Sequence, residues 1–143
     1  MGERLYAKKM AKMLDPDGIF FGKRIHSRTD LMVDERHSKL GHLTNLFPCG
    51  DFMVIIIDDK ADVWNSRLNL IRVKPYAFFG TTAEPTVPTF DDDDHLLHLE
   101  KLLRRVHRRF YKAYVDYKTI ATPFPNTMHI IAEMKKKKPG WER

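Results

Sequence analysis

Asp58 and Asp59 follow directly on the run Met53-Val54-Ile55-Ile56-Ile57. Two adjacent carboxylates past an apolar strand put hard oxygen donors at one point. A magnesium ion takes such donors, usually one or two protein carboxylates, and fills the rest of its octahedron with water and phosphate oxygens. In open α/β sheets ligands collect beyond the carboxyl ends of the strands, where these acids fall. From spacing alone the pair reads equally well as a turn closing the strand. Arg24, Arg28 and Lys39 could clamp a phosphate at such a place, arginine through its planar fork and lysine as a point charge. Taken singly, each is an ordinary surface cation.

Other chemistries fit less well. A cysteine phosphatase would need an arginine six residues beyond Cys49, and that position is Ile55. Cys49 is therefore read as a core or loop thiol, and as the only cysteine it forms neither an internal disulfide nor a Cys-built zinc site. His95 and His98 stand three apart without a third ligand nearby, which suits a solvated pair better than a metal site. There is no glycine-rich phosphate loop and no Gly-x-Ser-x-Gly elbow. Lys101, Arg104, Arg105, Arg108 and Lys112 form a basic helix face, a pattern more often solvated than bound, so direct nucleic-acid contact is not expected. Lys135 to Lys138 have the look of a nuclear-import patch, a pattern with many false matches.

The elements that must position these residues are legible in outline. Leu5, Tyr6, Met10, Met13 and Leu14 recur at helical spacing from Glu3 to Leu14, and Asp15-Pro16-Asp17-Gly18 stops the helix. Ile19 to Phe21 and Lys23 to His26 read as short extended pieces, Thr29 to Ser38 as a surface loop, and Leu43 to Leu46 as a short helix closed by Pro48. Met53 to Ile57 has no polar alternation, which predicts a strand covered on both faces in a parallel sheet. Leu70 to Val73 and Tyr76 to Phe79 are further strands, separated by a loop over Gly80 to Phe90 from a long helix. That helix runs from Asp94 to about Tyr117, with an apolar seam of Leu96, Leu99, Leu103, Val106, Phe110, Ala113 and Tyr117. Beyond Thr119, Pro123 and Pro125 break the pattern before the basic tail.

The chain has 143 residues and a formal charge of +6, with 43% hydrophobic and 31% charged residues. That is enough for one domain with a real core. No apolar run approaches the roughly 20 residues of a membrane-spanning helix, and the N-terminus lacks a signal-peptide apolar region, so no membrane partner is expected. A lone cysteine suits a reducing compartment.

Leu46-Phe47-Pro48-Cys49-Gly50-Asp51, Met53 to Asp59 and Asp62-Val63-Trp64 together make a specific string. In it the sequence resembles the RNA polymerase II carboxy-terminal-domain phosphatases of the TFIIF-associating type, within the haloacid-dehalogenase superfamily. Supporting segments are Gly2-x-Arg4-x-Tyr6-Ala7, Leu14 to Gly18, Arg24-Ile25-x-Ser27-Arg28, Ser38-Lys39-x-Gly41, Asn69-Leu70-Ile71 and Asp92 to Leu96. The likeness covers roughly residues 2 to 117.

The resemblance implies a partial haloacid-dehalogenase-like α/β domain. Residues 1–118 would be the C-terminal part of the phosphatase domain, and 119–143 a short linker and basic tail. It implies a Mg²⁺-dependent serine/threonine protein phosphatase of the nucleus, acting on the phosphorylated C-terminal domain of the largest RNA polymerase II subunit, with TFIIF as a further partner. On it Asp59 is the metal carboxylate and Asp58 its catalytic neighbour. Lys39 neutralises phosphate and nucleophile, and Arg24 or Arg28 contacts phosphate or substrate. Lys60 departs from the family's arginine after the paired acids, keeping the charge and losing the fork.

The family's nucleophile lies in an Asp-x-Asp-x-Thr motif, which the resemblance places upstream of Met1. The chain is therefore expected to be the second half of a phosphatase domain, inactive alone, with an unpaired sheet edge and without the family's C-terminal BRCT domain. Asp15-Pro16-Asp17-Gly18-Ile19 imitates the motif in spelling, yet it follows a helix and is rejected as the nucleophile. The competing class is a non-catalytic interaction module derived from such an enzyme; nucleic-acid binding through the basic helix ranks last.

Overall fold

The computed structural model describes residues 2–30, 39–75 and 94–137. The chain divides into two compact units, Met1–Pro48 and Cys49–Arg143. The expected strand over Tyr76 to Phe79, the loop over Gly80 to Phe90 and most of the loop over Thr29 to Ser38 lie outside the described residues, as does Lys138.

In the first unit, α1 spans Arg4–Leu14, within a residue of its expected start, and α2 spans Leu40–Leu46. No residue of α1 is fully buried; Ala7, Met10 and Ala11, one turn apart, form its half-buried stripe, while Leu5, Tyr6, Met13 and Leu14 are exposed. What stops α1 is the carboxylate of Asp15. It is buried and accepts the backbone N–H groups of Ile19, Phe20 and Phe21 at 2.9, 3.0 and 2.6 Å. Gly18, at φ 67°, supplies the left-handed turn this wrapping needs. Ile19 to Phe21 consequently bend around the acid and form no extended piece, contrary to the sequence expectation.

A second clasp sits where α1 meets the Arg28–Asp30 turn. Asp30 accepts the Ser27 hydroxyl and backbone N–H, each at 2.6 Å, and pairs with Arg4 at 2.8 Å. These bonds, those from Ser27 foremost, hold its carboxyl near 2 against an ordinary 3.8.

The second unit is built on β1 (Ile56–Asp58) and β2 (Leu70–Arg72), paired in parallel with Ile56 opposite Leu70, Ile57 opposite Ile71 and Asp58 opposite Arg72. β1 is shorter than the apolar run predicts and displaced toward the acids, so Asp58 ends the strand and does not follow it. Nor is it covered on both faces. Ile56 is buried while Ile57 is 45% exposed, the alternation of a sheet with one face packed. Residues 59–69 cross between the strands through a 3₁₀ turn at Asp62–Trp64.

α3 (His95–Ile120) and α4 (Thr127–Lys137) cover the packed face. Ile71, Leu102, Val106, Ile131 and Met134 form the core, with Ile55, Leu99, Leu103 and Ile130 against it. The expected α3 seam is corrected at its N-terminal end: Leu96 is 74% exposed and Leu102 takes a core position. Ile131 and Met134 of α4 join the cluster with Leu102 and Val106, which draws that stripe of α3 inward. α4 is itself the larger correction. The expected linker and basic tail is, over 127–137, a helix placing Thr127, Ile131 and Met134 on one buried stripe, while Lys135 reaches back to the Leu70 carbonyl at 3.2 Å. Its start is capped by Asn126, whose side-chain oxygen accepts the Met128 N–H at 2.8 Å.

Ile131 has no exposed surface, so Ile131→Ala leaves a cavity and should cost about 2–5 kcal/mol in urea unfolding; a loss below about 1 kcal/mol contradicts its core position. For Asp30 the folded pKa lies below the unfolded one. Its stabilisation is complete above the ordinary 3.8 and is lost as pH falls through about 2. Carboxyl ¹³C titration should place the midpoint near 2, and a midpoint at the ordinary value would remove the clasp.

Candidate active site

Parallel pairing sends β1 and β2 out at the same end of the sheet, and the two acids stand at that exit. The Asp58 carboxylate is engaged on both oxygens: Oδ1 accepts the Lys60 backbone N–H at 3.0 Å and Oδ2 the Trp64 indole N–H at 2.8 Å. The first bond closes a tight turn after the strand; the second pins the 3₁₀ turn against the strand end. Asp58 thus serves the turn, the alternative that spacing leaves open. Trp64 belongs to the recognised string without an assigned role, and no pattern of residue types would pair its indole with an acid six positions earlier.

Asp59 is placed differently. Its backbone carbonyl accepts Arg72 Nε at 3.2 Å, which ties it to the end of β2, and its half-buried carboxylate has no hydrogen bond or ion pair among the described residues. One carboxylate is structural and its neighbour is available. Arg72, which no sequence pattern marks, is the tie that holds the Asp59 backbone.

The three cations belong to the first unit. Arg24 donates to the Phe20 carbonyl, on the loop that Asp15 wraps, and its own N–H reaches the Phe21 carbonyl at 2.9 Å. Arg28 opens the 3₁₀ turn that Asp30 fastens, and its exposed guanidinium meets Glu3 at 3.2 Å, a pair of small energetic consequence. Lys39 sits at the head of α2, half-buried, its carbonyl accepting the Leu43 N–H at 3.1 Å. Each cation is thereby held at a loop or helix boundary, while Asp58 and Asp59 lie in the second unit.

The remaining candidates have local explanations. Asp15 spends its carboxylate on three backbone N–H groups and makes the turn that follows α1. Cys49 is exposed in a turn. His95 Nε2 accepts the Lys74 N–H at 3.3 Å, and His98 pairs with Asp94 at 3.1 Å. Among the described residues no three His, Cys, Asp or Glu side chains converge as a metal cage, and no helix is long and apolar enough to cross a membrane. A metal would find here one or two carboxylates, a donor set that suits Mg²⁺ better than zinc.

Residues 1–114 match the profile of the NLI interacting factor-like phosphatases. The chain is 37% identical over 126 residues to the RNA polymerase II C-terminal domain phosphatase of Caenorhabditis elegans, covering 79% of this chain and 19% of that protein. It is 49% identical over 87 residues to the Homo sapiens phosphatase of the same name, covering 61% and 9%. Two solved structures superpose with a TM-score of 0.76. One is Fcp1, described as an essential RNA polymerase II CTD phosphatase, at 29% identity over 95% of this chain and 48% of that one. The other is fission yeast Fcp1 bound to beryllium fluoride, at 30% identity over 96% and 49%. The chain therefore spans about a fifth or less of these curated relatives and about half of the solved chains. Its helices and small parallel sheet are part of a haloacid-dehalogenase-like catalytic domain, and with its first 114 residues matched the chain belongs to the NLI interacting factor-like phosphatase family.

Proposed function

We propose that this chain forms part of a Mg²⁺-dependent phosphoserine/phosphothreonine protein phosphatase acting in the nucleus on the phosphorylated C-terminal domain of RNA polymerase II, with TFIIF as a further partner. The observation that carries the reading is the division of labour at the exit of β1, where Asp58 is committed to the turn and Asp59 is left available. Relatives named for this activity support the substrate class.

In this reading Asp59 contributes a carboxylate to the Mg²⁺ site, and Asp58 acts as a positioning residue by fixing the turn that aims its neighbour. When bound, the ion offsets phosphate charge and so lowers the barrier to attack on phosphorus. Lys39 neutralises the phosphate and the nucleophile. Arg24 and Arg28 hold phosphate or substrate through hydrogen-bonded forks. Phosphoryl transfer in the family goes to an aspartate that water then frees, one difficult displacement split into two. The 143 residues contain no Asp-x-Asp-x-Thr, and Asp15 is spent on its turn, so the motif whose aspartate accepts the phosphoryl group in the family is not among them. Without the family's nucleophile motif, these 143 residues should hydrolyse neither an aryl phosphate nor a phosphorylated polymerase-tail peptide above background.

Fusion behind the first half of a relative's catalytic domain tests the roles. The fused protein should show Mg²⁺-dependent turnover, lost on Asp59→Ala or Lys39→Ala. Trp64→Phe should cut turnover by about tenfold and raise the Mg²⁺ requirement by loosening the turn, a loss of roughly one charge-assisted hydrogen bond. Turnover indifferent to Asp59→Ala contradicts the metal role. Robust turnover by the unfused chain, abolished by Asp15→Asn, contradicts the rejection of Asp15.

A further inference from the structure

The outer face of α3 has no use in the chemistry above, and its charge is poorly matched among the described residues. Between Glu100 and Asp116 there is no acid, while Lys101, Arg104, Arg105, Arg108, Arg109 and Lys112 are all cationic. Val106 and Phe110 turn the opposite face into the core, and every one of these cations except the half-buried Arg109 is exposed. Arg104 pairs with Glu100 and Lys112 with Asp116, at the two ends. Among the described residues no carboxylate approaches Lys101, Arg105 or Arg108. These three with Lys112 stand at i, i+4, i+7 and i+11, one row along the helix. Like charges at such spacing destabilise a helix, so the folding of α3 gains nothing from the row.

The row spans about 16 Å, with about 6 Å between i and i+4 positions. An extended peptide covers that length in about five residues, and its alternate side chains, about 6–7 Å apart, point the same way. Arginine at the centre of the row favours phosphate, which its fork binds through two hydrogen bonds. Position adds the second argument. The first turn of α3 lies against the end of β2, where His95 accepts the Lys74 N–H and Arg72 holds the Asp59 carbonyl. The row therefore starts six residues, about 9 Å of helical rise, along α3 from His95, which meets the end of β2, the strand paired with the one that carries the acids.

We propose that this face of α3 is a docking row for the additional phosphates of an extended, multiply phosphorylated peptide, the same substrate of which a single phosphate is cleaved at the acids. The inference rests on the phosphatase reading and assigns that substrate a second contact away from the reacting group. Binding to the full 143-residue chain, followed by fluorescence polarisation, tests it without any turnover. The probes are an extended serine-rich peptide with three phosphates at alternate positions, the same peptide with one phosphate, and oligouridylate. The triply phosphorylated peptide should bind at least tenfold tighter than the singly phosphorylated one. Arg105→Glu with Arg108→Glu should abolish that gain and flatten its salt dependence, and the milder Arg105→Gln with Arg108→Gln should reduce it, circular dichroism confirming an intact helix. Asp59→Ala should keep the gain, so failure of the metal role and failure of the docking row are read separately. The proposal is overturned by equal affinity for the two peptides, by a gain that survives both double variants, or by oligouridylate binding tighter and displacing the peptide.

Discussion

The side chain of Asn69 is wholly buried in the second unit, and its amide bonds hold the entrance of β1. Nδ2 donates to the Val54 carbonyl at 3.1 Å and to the Asp51 carboxylate at 3.3 Å, while the Asn69 carbonyl accepts the Ile56 N–H at 3.0 Å. Arg67 closes the cluster on Asp51 at 2.6 Å. From the other side Thr127 bonds the Val54 carbonyl at 2.7 Å and the Phe52 carbonyl at 2.8 Å, which fastens α4 to the same stretch. A pair of three-residue strands has too few ladder bonds to fix its own register, and a slip of one residue would reverse the faces of Ile56, Ile57 and Asp58. The cluster removes that freedom. Because the Asn69 amide is out of water, losing one of its partners leaves a buried polar group unsatisfied, which costs more than the bond itself contributes. Register at the entrance decides where the acids emerge at the exit, so the candidate site depends on polar groups at the far end of the strand.

Much of this is legible from residue types. The α1 spacing, the Asp15 turn, the β2 strand and most of α3 follow from periodicity and from proline and glycine as stops. What fails does so for tertiary reasons. Met53 to Ile57 has the composition of a two-sided buried strand, yet among the described residues only one face meets helices, and the Asn69 and Thr127 bonds occupy the backbone of its first half. α4 is obscured by its position between two prolines and a lysine run. The available signal is Asn126 before Thr127, a capping pair, followed by Ile131 and Met134 at helical spacing.

The site shows the same division. Spacing brings Asp58 and Asp59 to attention as a pair without telling them apart, because adjacent acids in a turn have the same composition whether they bind a metal or close a strand. Hydrogen bonds separate them: Trp64 and Lys60 occupy one, and Arg72 holds only the backbone of the other. Arg24, Arg28 and Lys39 stand out through a family string rather than through any pattern of charge. Their backbone anchors, at the loop around Asp15, at the turn fastened by Asp30 and at the head of α2, explain how side chains at chain boundaries keep defined positions.

The central claim is that of two adjacent carboxylates Asp59 is the one open to a hard cation while Asp58 is held by the fold. Paramagnetic line broadening reads this directly, with Mn²⁺ standing in for Mg²⁺ on oxygen ligands. With the chain labelled in ¹³C and ¹⁵N, small additions of Mn²⁺ should broaden the Asp59 carboxyl resonance first. The Trp64 indole N–H should keep its chemical shift throughout, because its bond to Asp58 stays intact. Broadening centred on Asp15 or on the acids of α3 with Asp59 unaffected, or a shift of the Trp64 indole showing that Asp58 has left it for the ion, would contradict the account.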